Sequence, residues 1–142
     1  MKKGIYIASR ASLPERPAAW RRLRDDGYPI ISSWIDSIDK TVEFQSQSEC
    51  DQLMSELWLK FVAEIQSSER LIVYVESDDF PLKGTLVEVG IALGSGIPIF
   101  IVAPGVTIEE GTYRPIGSWI KHPLVKVVDT MEDALIGICK NV

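Results

Sequence analysis

Five short apolar runs, separated by segments with the composition of helices, restrict the folds open to this chain. The runs cover residues 4–9, 28–34, 71–76, 97–103 and 124–128. In the first run, Ile5, Tyr6 and Ile7 follow one another without a polar residue, which is typical of a strand buried on both faces. Such strands alternating with helices predict an α/β domain, with a parallel sheet between two layers of helices.

The predicted fold is therefore a three-layer αβα domain with five mostly parallel strands, of the flavodoxin-like or Rossmann-like type. The order 2-1-3-4-5 is the commonest for a sheet of this size. A chain of 142 residues is long enough to bury one such core, and no repeat or linker divides it. Residues 1–142 are accordingly predicted to form a single domain.

The clearest helix is predicted over residues 51–67, where Leu53, Leu57, Phe61 and Ile65 recur at steps of four. Further apolar residues widen this stripe. We favour the interpretation that the whole stripe belongs to the core. The alternative gives part of it to a subunit contact, because large aromatic side chains dominate cores and interfaces alike, and it predicts a homodimer or a larger homo-oligomer.

The two segments before that helix are polar. A shorter helix is predicted over residues 17–26, with arginines at positions 16, 21, 22 and 24 in and just before it. Most of these arginines are predicted to be solvated, because Trp20 and Leu23 are the apolar positions of the helix. Residues 36–49 show no convincing period and are predicted to form a mobile loop.

Charge and composition exclude several partners and cofactors. The formal net charge of −5 argues against a broad face for polymeric nucleic acid, whereas a small nucleotide needs only a local pocket. One histidine and two distant cysteines lack metal-ligand spacing, so no metal site is predicted. No G-x-G-x-x-G follows the first run, so no dinucleotide, flavin or other cofactor is expected. No window approaches a membrane span, and the predicted location is a reducing cytoplasm.

Polar residues follow the predicted strands at the edge where parallel α/β sheets bind ligands. The residues that this rule brings together are Ser9, Arg10, Trp34, Asp36, Glu76, Asp78, Asp79 and, on the next helix, Glu88. They include a guanidinium, an aromatic ring and several carboxylates. This set predicts a site for a small nucleoside or nucleotide.

Glu88 is the most distinctive member of the set. It lies among apolar residues near the start of the helix predicted over residues 84–93, where unpaired N–H groups favour an ionised carboxylate. Such a carboxylate at the end of a strand can serve as the nucleophile of an enzyme that transfers or hydrolyses a glycosyl group. A surface glutamate of an amphipathic helix is the equally weighted alternative.

Three sequence pieces, in this order, resemble the nucleoside 2-deoxyribosyltransferase-like superfamily. They are IYIASRAS at residues 5–12, VYVESDD at residues 73–79, and GTLVEVGIALGSGIPIFIV at residues 84–102. The last piece contains the G-T-x-x-E-x-G helix start, which is the most specific of the three. The polar segment at residues 36–49 has no counterpart in the family pattern.

The resemblance implies cleavage or transfer at the N-glycosidic bond of a nucleoside or a nucleoside 5′-monophosphate. The nucleophile would be Glu88, and Asp79 or Asp78 would protonate the departing base. Tyr6 and Gly84, which lie in the first and last pieces, join the predicted substrate-binding residues. Whether water or a second base accepts the sugar, which separates a hydrolase from a transferase, is left open.

Each of these roles has a structural alternative. Asp78 and Asp79 could form a solvated turn before Pro81. Arg10 could pair with Asp36 or Glu76 rather than with a phosphate held near Ser9. Likewise, Trp34 could pack on the first helix instead of stacking on a base. The second function class is a non-catalytic nucleotide-binding protein, a sensor or sequestering module on the same fold.

Overall fold

A computed structural model describes residues 2–37 and 46–141 of the chain. Four strands form one parallel sheet in the order β1-β2-β3-β4: β1 (Ile5–Ala8), β2 (Arg70–Tyr74), β3 (Ile99–Val102) and β4 (Val125–Val128). The predicted α/β class and its parallel sheet are confirmed. In the described residues, no helix combines the length and apolarity needed to cross a membrane.

Within residues 2–37 and 46–141, five α-helices connect or follow the strands. They are α1 (Glu15–Asp25), α2 (Trp34–Ser37), α3 (Gln47–Ser67), α4 (Gly84–Gly94) and α5 (Met131–Ala134). Local chemistry sets several of their ends. The Ser46 hydroxyl accepts a hydrogen bond from the Glu49 N–H at the start of α3, and the Thr130 hydroxyl accepts one from the Asp133 N–H at the start of α5.

The core lies along the sheet and is covered on both faces. All four residues of β1 are fully buried, as are Leu71, Ile72 and Val73 of β2. Because successive side chains of a strand point to opposite faces, burial of every residue requires cover on both sides. The same requirement explains why these seven buried residues include no charged side chain.

The segment predicted as the second strand, residues 28–34, does not form one, so the prediction of five strands is not confirmed. Ile31 N–H donates to the Ile5 carbonyl at 2.9 Å, and a single bridge joins Ile30 to Ile5. Side chains then replace backbone pairing along β1. Ser32 Oγ accepts a hydrogen bond from Ile7 N–H, and the Trp34 indole donates to the Ile7 carbonyl at 2.6 Å. The order 2-1-3-4-5 is likewise not confirmed, because the segment numbered 2 turns into α2.

This edge of β1 gives a stability prediction. Replacing Trp34 with Phe leaves the buried Ile7 carbonyl without its indole donor, and we expect the free energy of unfolding to fall by about 1–2 kcal/mol. Urea denaturation measures the change. Trp58→Phe is the matched control, because the half-buried Trp58 indole makes no hydrogen bond with the described residues. Equal losses in both variants would contradict the prediction.

Two further expectations need correction. In α3 only Ile65 is buried, whereas the remaining apolar stripe is half-buried, so the interpretation that the whole stripe is core is wrong. The loop predicted over residues 36–49 is also wrong at both ends. Asp36 and Ser37 lie in α2, and residues from Gln47 onward belong to α3. Residues 38–45 of that predicted loop lie outside the described residues.

Candidate functional site

A cavity of about 580 Å³ opens at the carboxyl ends of β1 and β2, beside α3 and α4. Eight of the ten predicted site residues line it: Tyr6, Ser9, Arg10, Trp34, Asp78, Asp79, Gly84 and Glu88. Asp36 and Glu76 are not among its lining residues. The cavity thus lies where the strand-end rule places ligands in parallel sheets.

Glu88 is a buried carboxyl group on the second turn of α4. Its residue exposure is only 9%. Burial raises the pKa of Glu88 from 4.5 to about 7, against a smaller opposing effect of the Tyr6 hydroxyl. A carboxyl group with this pKa exists in both protonation states near neutral pH, which is a property shared by many catalytic acids, bases and nucleophiles.

Tyr6 brings a hydroxyl group to the same cavity from the middle of β1. The side chain is fully buried, and its hydroxyl makes no hydrogen bond with the described residues. Burial first, and then the charge of Glu88, raise the pKa of Tyr6, so the group keeps its proton. The hydroxyl nevertheless lies close enough to Glu88 to lower the pKa of that carboxyl, and its proton is available to Glu88 or to a ligand.

Asp79 is held by a buried ion pair. Arg16 donates to its two carboxylate oxygens at 2.9 and 3.3 Å, and the Glu76 N–H donates to it at 2.7 Å. The side chains of Arg16 and Asp79 are only 6% and 3% exposed. Both carboxylate oxygens therefore act as acceptors, which is the arrangement of an ionised group rather than of a proton donor.

Arg16 is a buried residue beside the cavity that the sequence analysis did not predict. It was grouped with arginines predicted to be mostly solvated, but its residue exposure is 5%. The sequence carried a signal, because Arg16 lies four positions before the buried Trp20 and so on the same face of α1. Its guanidinium also lies over the Tyr74 ring, 5.0 Å from the centroid.

Asp78 and Glu76 flank Asp79 and differ from it in setting. Asp78 is exposed and lines the cavity, and its backbone carbonyl accepts a hydrogen bond from Arg10 at 3.3 Å. Glu76 does not line the cavity, although it contacts Tyr74, which does. It accepts a hydrogen bond from the Tyr74 hydroxyl at 2.6 Å and lies 3.5 Å from Arg16. Asp78 is therefore the carboxyl group of this turn that is open to a ligand.

Ser9 and Arg10 form the polar end of the cavity, where β1 ends. The Trp20 indole donates to Ser9 Oγ at 2.9 Å, which leaves the Ser9 O–H as a donor. Arg10 donates to Ser12 Oγ at 3.0 Å and lies 3.8 Å from Asp79, and its side chain is 42% exposed. The predicted alternative, in which Arg10 pairs with Asp36 or Glu76, is not what the structure shows.

Asp36 faces another partner. It accepts two hydrogen bonds from Arg24, at 2.7 and 3.0 Å, in a pair between α1 and α2. Gly84, at the start of α4, does line the cavity. A Cβ at this position would lie 3.8 Å from the Trp58 ring, an ordinary van der Waals contact, so α4 begins next to α3 without requiring a glycine there.

An apolar wall completes the cavity. It consists of α3 and loop residues: Met54, Leu57, Trp58, Phe61, Phe80 and Leu82. The Trp58 and Phe61 rings contact edge to face, with centroids 5.6 Å apart. The wide stripe on the predicted helix was the signal for this wall, and its half-burial shows that the stripe serves the cavity. Aromatic faces opposite carboxyl groups suit a planar ring attached to a polar ligand.

Comparison with known proteins found neither a matching family model nor a matching curated protein. The resemblance noted in the sequence therefore stays a prediction. Across residues 2–37 and 46–141, no group of three or more His, Cys, Asp or Glu side chains is arranged to hold a metal ion.

Proposed function

We propose that this protein cleaves or transfers at the N-glycosidic bond of a nucleoside or nucleoside 5′-monophosphate, with Glu88 as the nucleophile. One observation carries the proposal: the buried Glu88 carboxyl lies in a cavity that has an apolar aromatic wall and a polar, arginine-containing end. The aromatic wall suits a planar base, Glu88 would meet the sugar, and the arginine-containing end suits a phosphate. Arg10 and the Ser9 hydroxyl would meet the phosphate.

The proposed reaction has two steps. A Glu88 carboxylate oxygen attacks the anomeric carbon, forming an ester bond while the carbon–nitrogen bond breaks and its electron pair leaves with the base. Asp78, which is exposed on the cavity, supplies the proton to the base, since Asp79 is engaged by Arg16. Water or a second base then attacks the same anomeric carbon, the bond from that carbon to the Glu88 oxygen breaks with its electron pair returning to the carboxylate, and Asp78 takes the proton of the attacking group.

The pKa of Glu88 gives a pH prediction. Because only the carboxylate can attack, kcat/KM for a deoxyriboside whose leaving group departs without a proton should rise with pH, by about tenfold per unit below the pKa of Glu88, and level off above about 7. The pH profile of kcat/KM measures this rise. A profile that falls through the same range would assign Glu88 the role of a proton donor and contradict the proposed mechanism.

Incubation with a panel of deoxynucleosides and their 5′-monophosphates tests the activity directly. Each substrate is tested with and without a second free base, and chromatography detects base release or base exchange. Release without added base identifies a hydrolase, and exchange identifies a transferase. Binding without release or exchange across the whole panel would reject the enzymatic function.

That last outcome would support the second candidate, a non-catalytic nucleotide-binding sensor. The observation favouring it is that Ser9, Arg10 and the apolar wall form a binding surface that does not need Glu88. The two candidates differ in turnover, which only the enzyme has and which Glu88→Gln should abolish, whereas the affinity for nucleotide should change little in both cases.

We also propose that the protein acts as a homo-oligomer in the cytoplasm. Its two free thiols, Cys50 and Cys139, are in keeping with a reducing compartment. In α4 the exposed side chains include Leu86 and Val87, and Leu59 of the neighbouring α3 is 74% exposed. A second copy of the chain would cover such apolar groups.

The oligomer proposal gives a separate prediction. Light scattering at micromolar concentration should report at least twice the chain mass of 15.9 kDa, and Val87→Glu should shift it to the monomer mass. Val127→Glu is the control, because Val127 is also exposed but lies on β4. A monomer mass for the unaltered protein would reject the proposal.

A further inference from the structure

Two arginines and one aspartate meet at the polar end of the cavity. Arg16 and Arg10 both approach Asp79, but only Arg16 makes the two-point contact, at 2.9 and 3.3 Å. Arg10 lies 3.8 Å away and is held instead by neutral oxygens, those of Ser12 and the Asp78 backbone. The charge of Asp79 is thus matched by Arg16, which does not line the cavity.

This division of contacts matters because Arg10 is the cavity-lining arginine. Its side chain is 42% exposed, whereas that of Arg16 is 6% exposed. A guanidinium already paired with a buried carboxylate contributes little positive charge to an incoming anion, while one bonded to neutral oxygens keeps its charge available. The arrangement therefore leaves Arg10 only loosely engaged with Asp79, at 3.8 Å, and partly exposed at the cavity.

We propose that Arg16 is a positioning residue that occupies Asp79 and so reserves Arg10 for an anionic group of the ligand. The inference rests on the proposed ligand class and adds a preference, that of a nucleoside 5′-monophosphate over the nucleoside. Without Arg16, the Asp79 carboxylate takes Arg10 as its partner. The ligand phosphate then loses its cation, because the net charge of Arg10, Arg16 and Asp79 falls from +1 to 0.

Binding measurements by calorimetry test the inference. The probes are deoxyadenosine and thymidine, each with and without its 5′-phosphate, titrated into Glu88→Gln protein so that no turnover occurs. The preference is the ratio of the two affinities. We expect Arg16→Met to reduce this preference by about tenfold or more, the effect of losing one charge-assisted contact.

Three further variants separate positioning from general structural damage. Arg16→Met combined with Asp79→Asn removes both charges, frees Arg10 again and should restore the preference. Arg16→Lys keeps the charge without the two-point contact and should give an intermediate value, and it carries the test if Arg16→Met does not fold. Arg24→Met is the control, because Arg24 lies on α1 like Arg16 and makes a similar pair with Asp36 of α2.

The outcomes distinguish this inference from the proposed function. The inference would be overturned if Arg16→Met lowered the affinities for nucleoside and monophosphate equally, or if the double variant did not recover the preference. Neither result would bear on whether the protein cleaves nucleosides, which the turnover measurements decide. Titration of inorganic phosphate alone tests the inference independently of nucleoside cleavage. If its affinity falls in Arg16→Met and recovers in the double variant, the inference holds even where no nucleoside is cleaved.

Discussion

Glu88→Gln should reduce turnover of any cleaved nucleoside by about a thousandfold or more, because the amide cannot attack the anomeric carbon. The substitution keeps the size and shape of a side chain that is only 9% exposed, so the fold and the cavity should persist. Initial rates of base release measure the loss, and circular dichroism checks the fold. Affinity for the monophosphate should change little.

Glu56→Gln is the matched control for this loss. Glu56 is exposed on α3 and does not line the cavity, so the same chemical change there should leave turnover unaltered. Turnover that survives Glu88→Gln would reject Glu88 as the nucleophile while leaving the class of reaction open. Loss of turnover in both variants would indicate a general effect of charge and contradict the assignment.

The second large effect concerns stability: the substitution that lowers turnover should raise the free energy of unfolding at alkaline pH. The folded state raises the pKa of Glu88 from 4.5 to about 7, so it binds the proton more tightly than the unfolded chain does. The contribution of this group is therefore fully present below about pH 4.5 and is lost as the pH rises through about 7. Above that range the buried carboxylate destabilises the fold.

Glu88→Gln removes that cost. At about pH 8 we expect it to raise the free energy of unfolding by about 3 kcal/mol, from a shift of roughly 2.5 pKa units, and at about pH 4 to change it little. Urea denaturation at both pH values measures the difference, with Glu56→Gln again as the control. An equal effect at both pH values would contradict a raised pKa for Glu88.

These two predictions describe a trade of stability for reactivity. The carboxyl group that is proposed to attack the sugar is also the one whose ionisation is made unfavourable by burial. Enzymes commonly accept such a cost at their reactive groups, and removing the group often stabilises the protein. A variant that is both more stable at alkaline pH and inactive would link the cost directly to Glu88.

Part of the site was predictable because parallel sheets align the ends of their strands. Ser9 and Asp78 each come at the end of an apolar run, and Glu88 lies on the helix that follows Asp78. The strand-end rule predicts that these three residues lie close together, and all three line the cavity. The same rule failed for Asp36 and Glu76. Asp36 pairs with Arg24, and Glu76 bonds Tyr74, because nearby partners compete for a side chain that the rule only places approximately.

Apolar runs in the sequence by themselves determined the class of fold, since strands buried on both faces must be made of unbroken apolar residues, as in β1. They also determined where Glu88 lies relative to the sheet. Only the tertiary structure decided three further features. Residues 28–34 contact β1 partly through side-chain hydrogen bonds instead of forming a strand, the apolar stripe of α3 forms a cavity wall, and Arg16 pairs with Asp79. The physical reason is the same in each case: periodicity reports which side chains avoid water, whereas the choice of hydrogen-bond or ion-pair partner depends on distances between segments far apart in the chain.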